Sequence, residues 1–172
     1  SLSYEWFVAG SSIGTGGSVT LDPTLVQPGQ SVSCVASVTD TFGAYASASS
    51  SVSVSGVAPV ISSISTSPSP AYNDSVLTCS VSASDADNQS LTESYTWTNL
   101  TTGSSIGSAA SVTLSSLTAS PGDVLLCEVT VSDASGQTDS SSTQVTLDNR
   151  APNTPSVSLT PDPAYLASTL TC

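Results

Sequence analysis

Four cysteines, Cys34, Cys79, Cys127 and Cys172, carry the most reactive chemistry in this chain, and successive ones lie 45 or 48 positions apart. Zinc-binding thiolates come in close-set pairs, often with histidine, and this sequence has no histidine. The chemistry that remains is oxidation to disulfides, which places the chain outside the cytoplasm, secreted or at a cell surface. The only basic residue is Arg150, so Lys–Asn isopeptide crosslinks are excluded.

Other motifs offer less. Gly10-Ser11-Ser12-Ile13-Gly14 and Gly103-Ser104-Ser105-Ile106-Gly107 both fit the G-x-S-x-G pattern. With no histidine there is no base for a triad, and neither copy leads from a buried strand into a helix. Both read as loops, and the sequence offers no enzyme site. The Gly14-Thr15-Gly16-Gly17 run lacks the lysine and the helix that phosphate loops need. Thirteen acids against one base give a formal net charge of −12, which repels nucleic acid. Clustered acids suit a hard cation. Asp85, Asp87, Asn88 and Asp133 are the candidate ligands for calcium, although their spacing is not that of an EF-hand loop. Apart from calcium, no cofactor is expected. Asn73, Asn88 and Asn99 each open an Asn-x-Ser/Thr triplet and are the candidate glycan acceptors. No run approaches the length of a membrane span, so no insertion is expected here.

These side chains need a scaffold, and the pattern predicts an all-β one. Val, Leu and Ile alternate with Ser and Thr, which supplies a buried face at strand spacing. Ile61 to Ser67 reads as a short strand stopped by Pro68 and Pro70. Ser75 to Ala83 turns Leu77, Cys79, Val81 and Ala83 one way. Asp85 to Gln89 is a polar turn, and Ser94 to Thr98 carries Tyr95 and Trp97 inward. Thr101 to Gly107 reads as a loop and Ser111 to Leu114 as a strand. Pro121-Gly122 turns into Val124 to Ser132, with Leu125, Cys127, Val129 and Val131 inward, and Ser142 to Asp148 closes the unit. Short strands with a turn signal every ten residues or so describe a β-sandwich.

The unit recurs. Cys34 returns as Cys127 and Cys79 as Cys172, a period of 93 residues. Pro28-Gly29 returns as Pro121-Gly122, Asp40 as Asp133, and Pro68, Pro70, Ala71, Tyr72 as Pro161, Pro163, Ala164, Tyr165. A fixed period signals one folded module used in tandem. Residues 57–149 are expected to be a complete module. Residues 1–56 are read as a module lacking its first two strands, and 150–172 as the first two strands of a further one. Val57-Ala58-Pro59 and Arg150-Ala151-Pro152 are the linkers.

The order Cys79, Trp97, Cys127 resembles an immunoglobulin-like domain, in which a disulfide pins two sheets and a tryptophan packs on it. The tandem arrangement resembles the repeated immunoglobulin-like modules of large prokaryotic surface proteins. One departure is that Leu125 and Val32 stand where such domains carry a tyrosine two residues before the second cysteine. The resemblance implies one inter-sheet disulfide per module, here Cys79–Cys127, contributing roughly 3–4 kcal/mol by chain entropy. It leaves Cys34 and Cys172 as complementary partners on neighbouring copies. It also brings the Asp85 and Asp133 turns to one end, beside the linker. The expected role is a filament or cell-surface stalk continuing end to end, its partners being other copies of itself and any glycans it carries. The alternative is an adhesin that recognises carbohydrate or a protein receptor, with calcium at its loops.

Overall fold

A computed structural model describes residues 1–172, and every regular element in it is a β-strand. Strands β1 (Leu2–Val8), β2 (Ser11–Thr15), β3 (Ser31–Thr39) and β4 (Tyr45–Ser53) pair antiparallel in the order β2-β1-β3-β4. Strands β5 (Val60–Ser67), β6 (Val76–Ser84) and β9 (Ser111–Thr113) form a second sheet, β5-β6-β9. Strands β7 (Thr92–Asn99), β8 (Ser104–Gly107), β10 (Val124–Ser132) and β11 (Thr138–Thr146) form a third, β11-β10-β7-β8.

The second and third sheets lie face to face in a sandwich-like pair, because each has one apolar face to remove from water. Leu125, Cys127, Val129 and Val131 alternate down β10 and are fully buried. Leu77 and Cys79 of β6, Trp97 of β7 and Leu147 beyond β11 complete the core. The Cys79–Cys127 disulfide crosses it, with the Cα atoms 6.5 Å apart and the partners 48 positions apart in sequence. Polar residues on the opposite parity stay in solvent, where neighbouring strands exchange hydroxyl bonds such as Thr130 Oγ1 to Ser140 Oγ at 2.9 Å.

The first sheet has the strand order of the third, and the registers correspond. Trp6 lies opposite Cys34 and Gly14, as Trp97 lies opposite Cys127 and Gly107. Trp6 Nε1 donates to the Gly16 carbonyl at 2.9 Å, and Trp97 Nε1 to the Ala109 carbonyl at 3.0 Å. The amides of Gly29 and Gly122, both at positive φ, donate at 2.8 Å to the carbonyls of Val54 and Leu147. Only the covering differs. The third sheet is capped by β6 and β9; the first has no such layer, and just Val8, Val26 and Val32 are buried on it.

Three expectations need correction. The Gly10–Gly14 run and residues 101–107 are not all loop, since Ser11–Thr15 and Ser104–Gly107 form edge strands β2 and β8. Gly107 sits opposite Trp97, and a Cβ there would come within 3.1 Å of Val112 Cγ2, so glycine, poor in strand propensity, is used for close approach. The closing strand also begins earlier, at Thr138, because Ser and Thr on its outer edge pair with β10 irrespective of apolar content. Residues 150–172 contain no strand, only the antiparallel bridge Thr160–Thr171. With no sheet beneath them, nothing fixes their pleat.

Candidate functional site

Three features could carry function: the open face of the first sheet with its thiol, the joint between the two units, and the far turn with the segment that follows it. On the open face, antiparallel pairing sets residues in cross-strand rows. Leu2, Val38 and Ala46 form one row, Tyr4, Ala36 and Ala48 the next, and Trp6, Cys34 and Ser50 a third. Val38 is 47% exposed and Leu2 62%, whereas Val131, at the position of Val38, is fully buried. Cys34 is a half-buried free thiol, and Cys172 is free and exposed.

The joint is held by the linker's own backbone. Asp87 Oδ2 accepts from the Val57 amide at 2.6 Å, and Gln137 Nε2 donates to the Gly56 carbonyl at 3.1 Å. Gly56 passes close to Pro28 and Ser135, and Pro59 is fully buried. The two turns meet where Ser135 Oγ donates to Gln89 Oε1 at 3.0 Å. The Asp85 and Asp133 turns therefore lie together beside the linker, but not as one ligand set. Asp85 Oδ1 accepts from the amides of Asp87 and Gln89, and Asp133 Oδ1 from that of Gln137 at 2.8 Å. Asp87 faces the linker, and Asn88 is an exposed turn residue at φ 56°. No three His, Cys, Asp or Glu side chains converge on one point. Asp85 Oδ2, Asp133 Oδ2 and Gln137 Oε1 are left buried without hydrogen-bond partners.

Of the glycan candidates, Asn88 is exposed and Asn73 half-buried, while Asn99 is fully buried. Asn99 Nδ2 donates to Asp123 Oδ2 at 2.8 Å and to the Thr118 carbonyl at 3.3 Å. Its Oδ1 accepts from the amides of Thr101 and Thr102. Asn99 is thus a structural clamp between loops, with no room for a sugar in the folded chain. The available signal was its parity, since 95, 97 and 99 point the same way along β7. Asn99→Ala is expected to cost about 2–3 kcal/mol, because several buried groups lose their partner; a urea-melt loss below half of that would discount the clamp.

At the far end, Arg150 Nη1 donates to Asp74 Oδ2 at 2.6 Å and stacks 4.3 Å over the Tyr72 ring. Tyr72 and Tyr165 occupy matching turns: each donates its amide to the hydroxyl of Ser75 or Ser168, whose amide returns to the tyrosine carbonyl. The serines of the two G-x-S-x-G runs lie in edge strands β2 and β8. A shallow open groove on the outer face of β7, β10 and β11 is lined by hydroxyls, among them Ser94, Thr96, Thr130 and Ser142, with Glu128.

Several carboxyls sit below their usual range. The Thr24 hydroxyl does this for Asp22, the Arg150 guanidinium for Asp74, and the Ser120 amide, then Asn99, for Asp123. A depressed carboxyl adds stability that is present above its unfolded value of 3.8 and is lost as pH falls through the folded one. Tyr95 goes the other way: burial and then Glu93 push it up to about 12 from 10.0. Its contribution is present below pH 10.0 and is lost as pH rises towards 12. With no histidine to titrate between, the melting temperature should be flat from roughly pH 5 to 8 and fall below about pH 4 and above about pH 10. Melts across pH check this, and a step near pH 6 would contradict it.

No helix is long and apolar enough to cross a membrane. No protein-family model matches the chain, and no curated protein shows significant similarity to it.

Proposed function

We propose that the chain is a structural segment of an extracellular filament or cell-surface stalk, built from immunoglobulin-like β-sandwich modules in tandem and stapled by disulfide. The observation that carries this reading is the correspondence between the first and third sheets in strand order, register and tryptophan hydrogen bond. Two units built alike are what a tandem array requires. The stapled core supports load-bearing, because Cys79 and Cys127 join opposite sheets at the centre of the sandwich. The joint supports it too: two hydrogen bonds and a buried proline limit swivelling between units. The loops spend their polar groups on their own turns rather than gathering them into a recognition surface, which weighs against the adhesin.

Two measurements test this. Proteinase K, which cuts at many residue types, should leave residues 57–149 intact for hours with the disulfide formed and digest them once it is reduced. Single-molecule stretching of the chain should give a force peak with a contour gain shortened by the 48 residues locked behind the staple, and lengthened by that amount after reduction. Unfolding at negligible force would remove the mechanical reading.

A calcium-stiffened joint is the second reading, favoured by the three partnerless buried oxygens of Asp85, Asp133 and Gln137. All-oxygen donors suit this ion. Millimolar calcium should then raise the melting temperature reversibly in the parent chain and not in Asp133→Asn. An unchanged melt would leave the joint held by its hydrogen bonds alone.

A further inference from the structure

The chain has one base and thirteen acids, so the carboxylate that Arg150 takes is a choice among many. It takes Asp74, at 2.6 Å from Nη1, and lays its guanidinium 4.3 Å over the ring of Tyr72. Both partners sit in the turn between β5 and β6, which the Tyr72 amide closes by donating to the Ser75 hydroxyl at 2.9 Å. The approach to that turn is fixed as well. Leu147 pairs parallel with Ala71, and the Asp148 amide donates to the Ala71 carbonyl at 2.7 Å. Ala71 and Leu147 are core residues, so the sandwich itself anchors the chain as far as Asp148. Beyond that point the hold passes to the Arg150 side chain. A planar guanidinium suits this seat, since it stacks on a ring while donating in its own plane to a carboxylate.

The linker that precedes this module is held in another way. Val57 stands one period before Arg150, and a valine can neither stack as a cation nor form an ion pair. Gly56 and Val57 are tied through their backbone to the module that follows them, by Gln137 and Asp87. One linker is thus bound forward by backbone hydrogen bonds, and the other backward by a single side chain.

We infer that the Tyr72–Asp74 turn is a seat for Arg150, and that the seated side chain latches the linker to its own module and hides the Arg150–Ala151 bond from arginine-specific proteases. The inference rests on the tandem-module reading only in treating residues 150–152 as a linker. A protease of this class takes the arginine into a pocket with a carboxylate of its own, and so competes with Asp74 for one guanidinium. Cleavage waits for the latch to open. Water then adds hydroxyl to the Arg150 carbonyl carbon and a proton to the Ala151 nitrogen as the bond between them breaks. Opening leaves the sandwich intact, because the Arg150 and Asp74 side chains are each 59% exposed and neither belongs to the core. Exposed charges are screened beyond about 10 Å at 0.1 M salt and beyond about 3 Å at 1 M, so salt should open the latch.

The test is the rate at which trypsin cuts after Arg150 in the full chain, set against a synthetic peptide of residues 146–155. The parent chain should be cut about tenfold more slowly than the peptide, the combined effect of one exposed ion pair and one exposed stack. Asp74→Asn should recover most of that factor. Molar sodium chloride should do the same in the parent, once the peptide's own salt response is divided out. Tyr72→Phe keeps the ring face and should leave the rate unchanged. Melts of Asp74→Asn should stay within about 2 °C of the parent, which shows that the module is folded. Backbone amide relaxation by NMR is a second readout: the Ala151 amide should become mobile in Asp74→Asn while the Val57 amide stays rigid. A parent cut as fast as the peptide, or a cutting rate or Ala151 mobility that Asp74→Asn leaves unchanged, would overturn the latch. Proteinase K resistance of 57–149 and the force peak are read separately, so a failed latch does not count against the stalk itself.

Discussion

Removing the staple with Cys79→Ala and Cys127→Ala together should cost about 4 kcal/mol by the entropy of the 48-residue loop it closes. For a unit of this size that corresponds to a fall of roughly 15–30 °C in melting temperature. It is a large share of the ~5–15 kcal/mol that holds most domains folded. The experiment belongs in a Cys34→Ser, Cys172→Ser background, so that only the staple is read. Denaturant melts should also steepen, because the freed unfolded chain exposes more surface. Cys79 is 2% exposed and Cys127 fully buried, so a mild reductant should act only at the rate of unfolding. A loss under about 5 °C would mean that sheet packing alone suffices and that the bridge is incidental.

The second large effect separates two tryptophans that the sequence presents as equals. Trp97→Ala should cost about 3–5 kcal/mol, the range for deleting a fully buried aromatic, with the Ala109 carbonyl left without its donor as an added penalty. Trp6 makes the same hydrogen bond yet is only half-buried, because nothing packs across its face. Trp6→Ala should cost roughly 1–2 kcal/mol, in proportion to the smaller apolar area removed from water. Fluorescence gives an independent check: Trp6→Phe should retain the blue-shifted emission and Trp97→Phe the red-shifted one. Equal costs for the two substitutions would mean that the first sheet is covered within a single copy.

Much of this was legible in the residues. The alternation of Leu125, Cys127, Val129 and Val131 set the inward face of β10, since side chains on a strand alternate with period two. Asp85 to Gln89 and Asp133 to Gln137 were recognisable as turns, because Asp closes its own turn by accepting backbone amides. The Cys–Trp–Cys order pointed to the staple that forms. β8 was not legible: serine and glycine give no apolar signal, and an edge strand needs only a neighbour with free backbone groups. Asn99 was misplaced for a related reason. Its triplet is a local pattern, whereas its burial depends on Asp123 and the Thr118 carbonyl, which only folding brings to it.

By itself, then, the order of residues determined strands, turns and inward faces, since these follow from local alternation and from Gly, Pro and Asp chemistry. Tertiary structure alone decided which tryptophan is enclosed and which asparagine is a clamp. Each of these depends on whether a second sheet lies opposite, and a covering layer is a long-range contact that no local pattern contains.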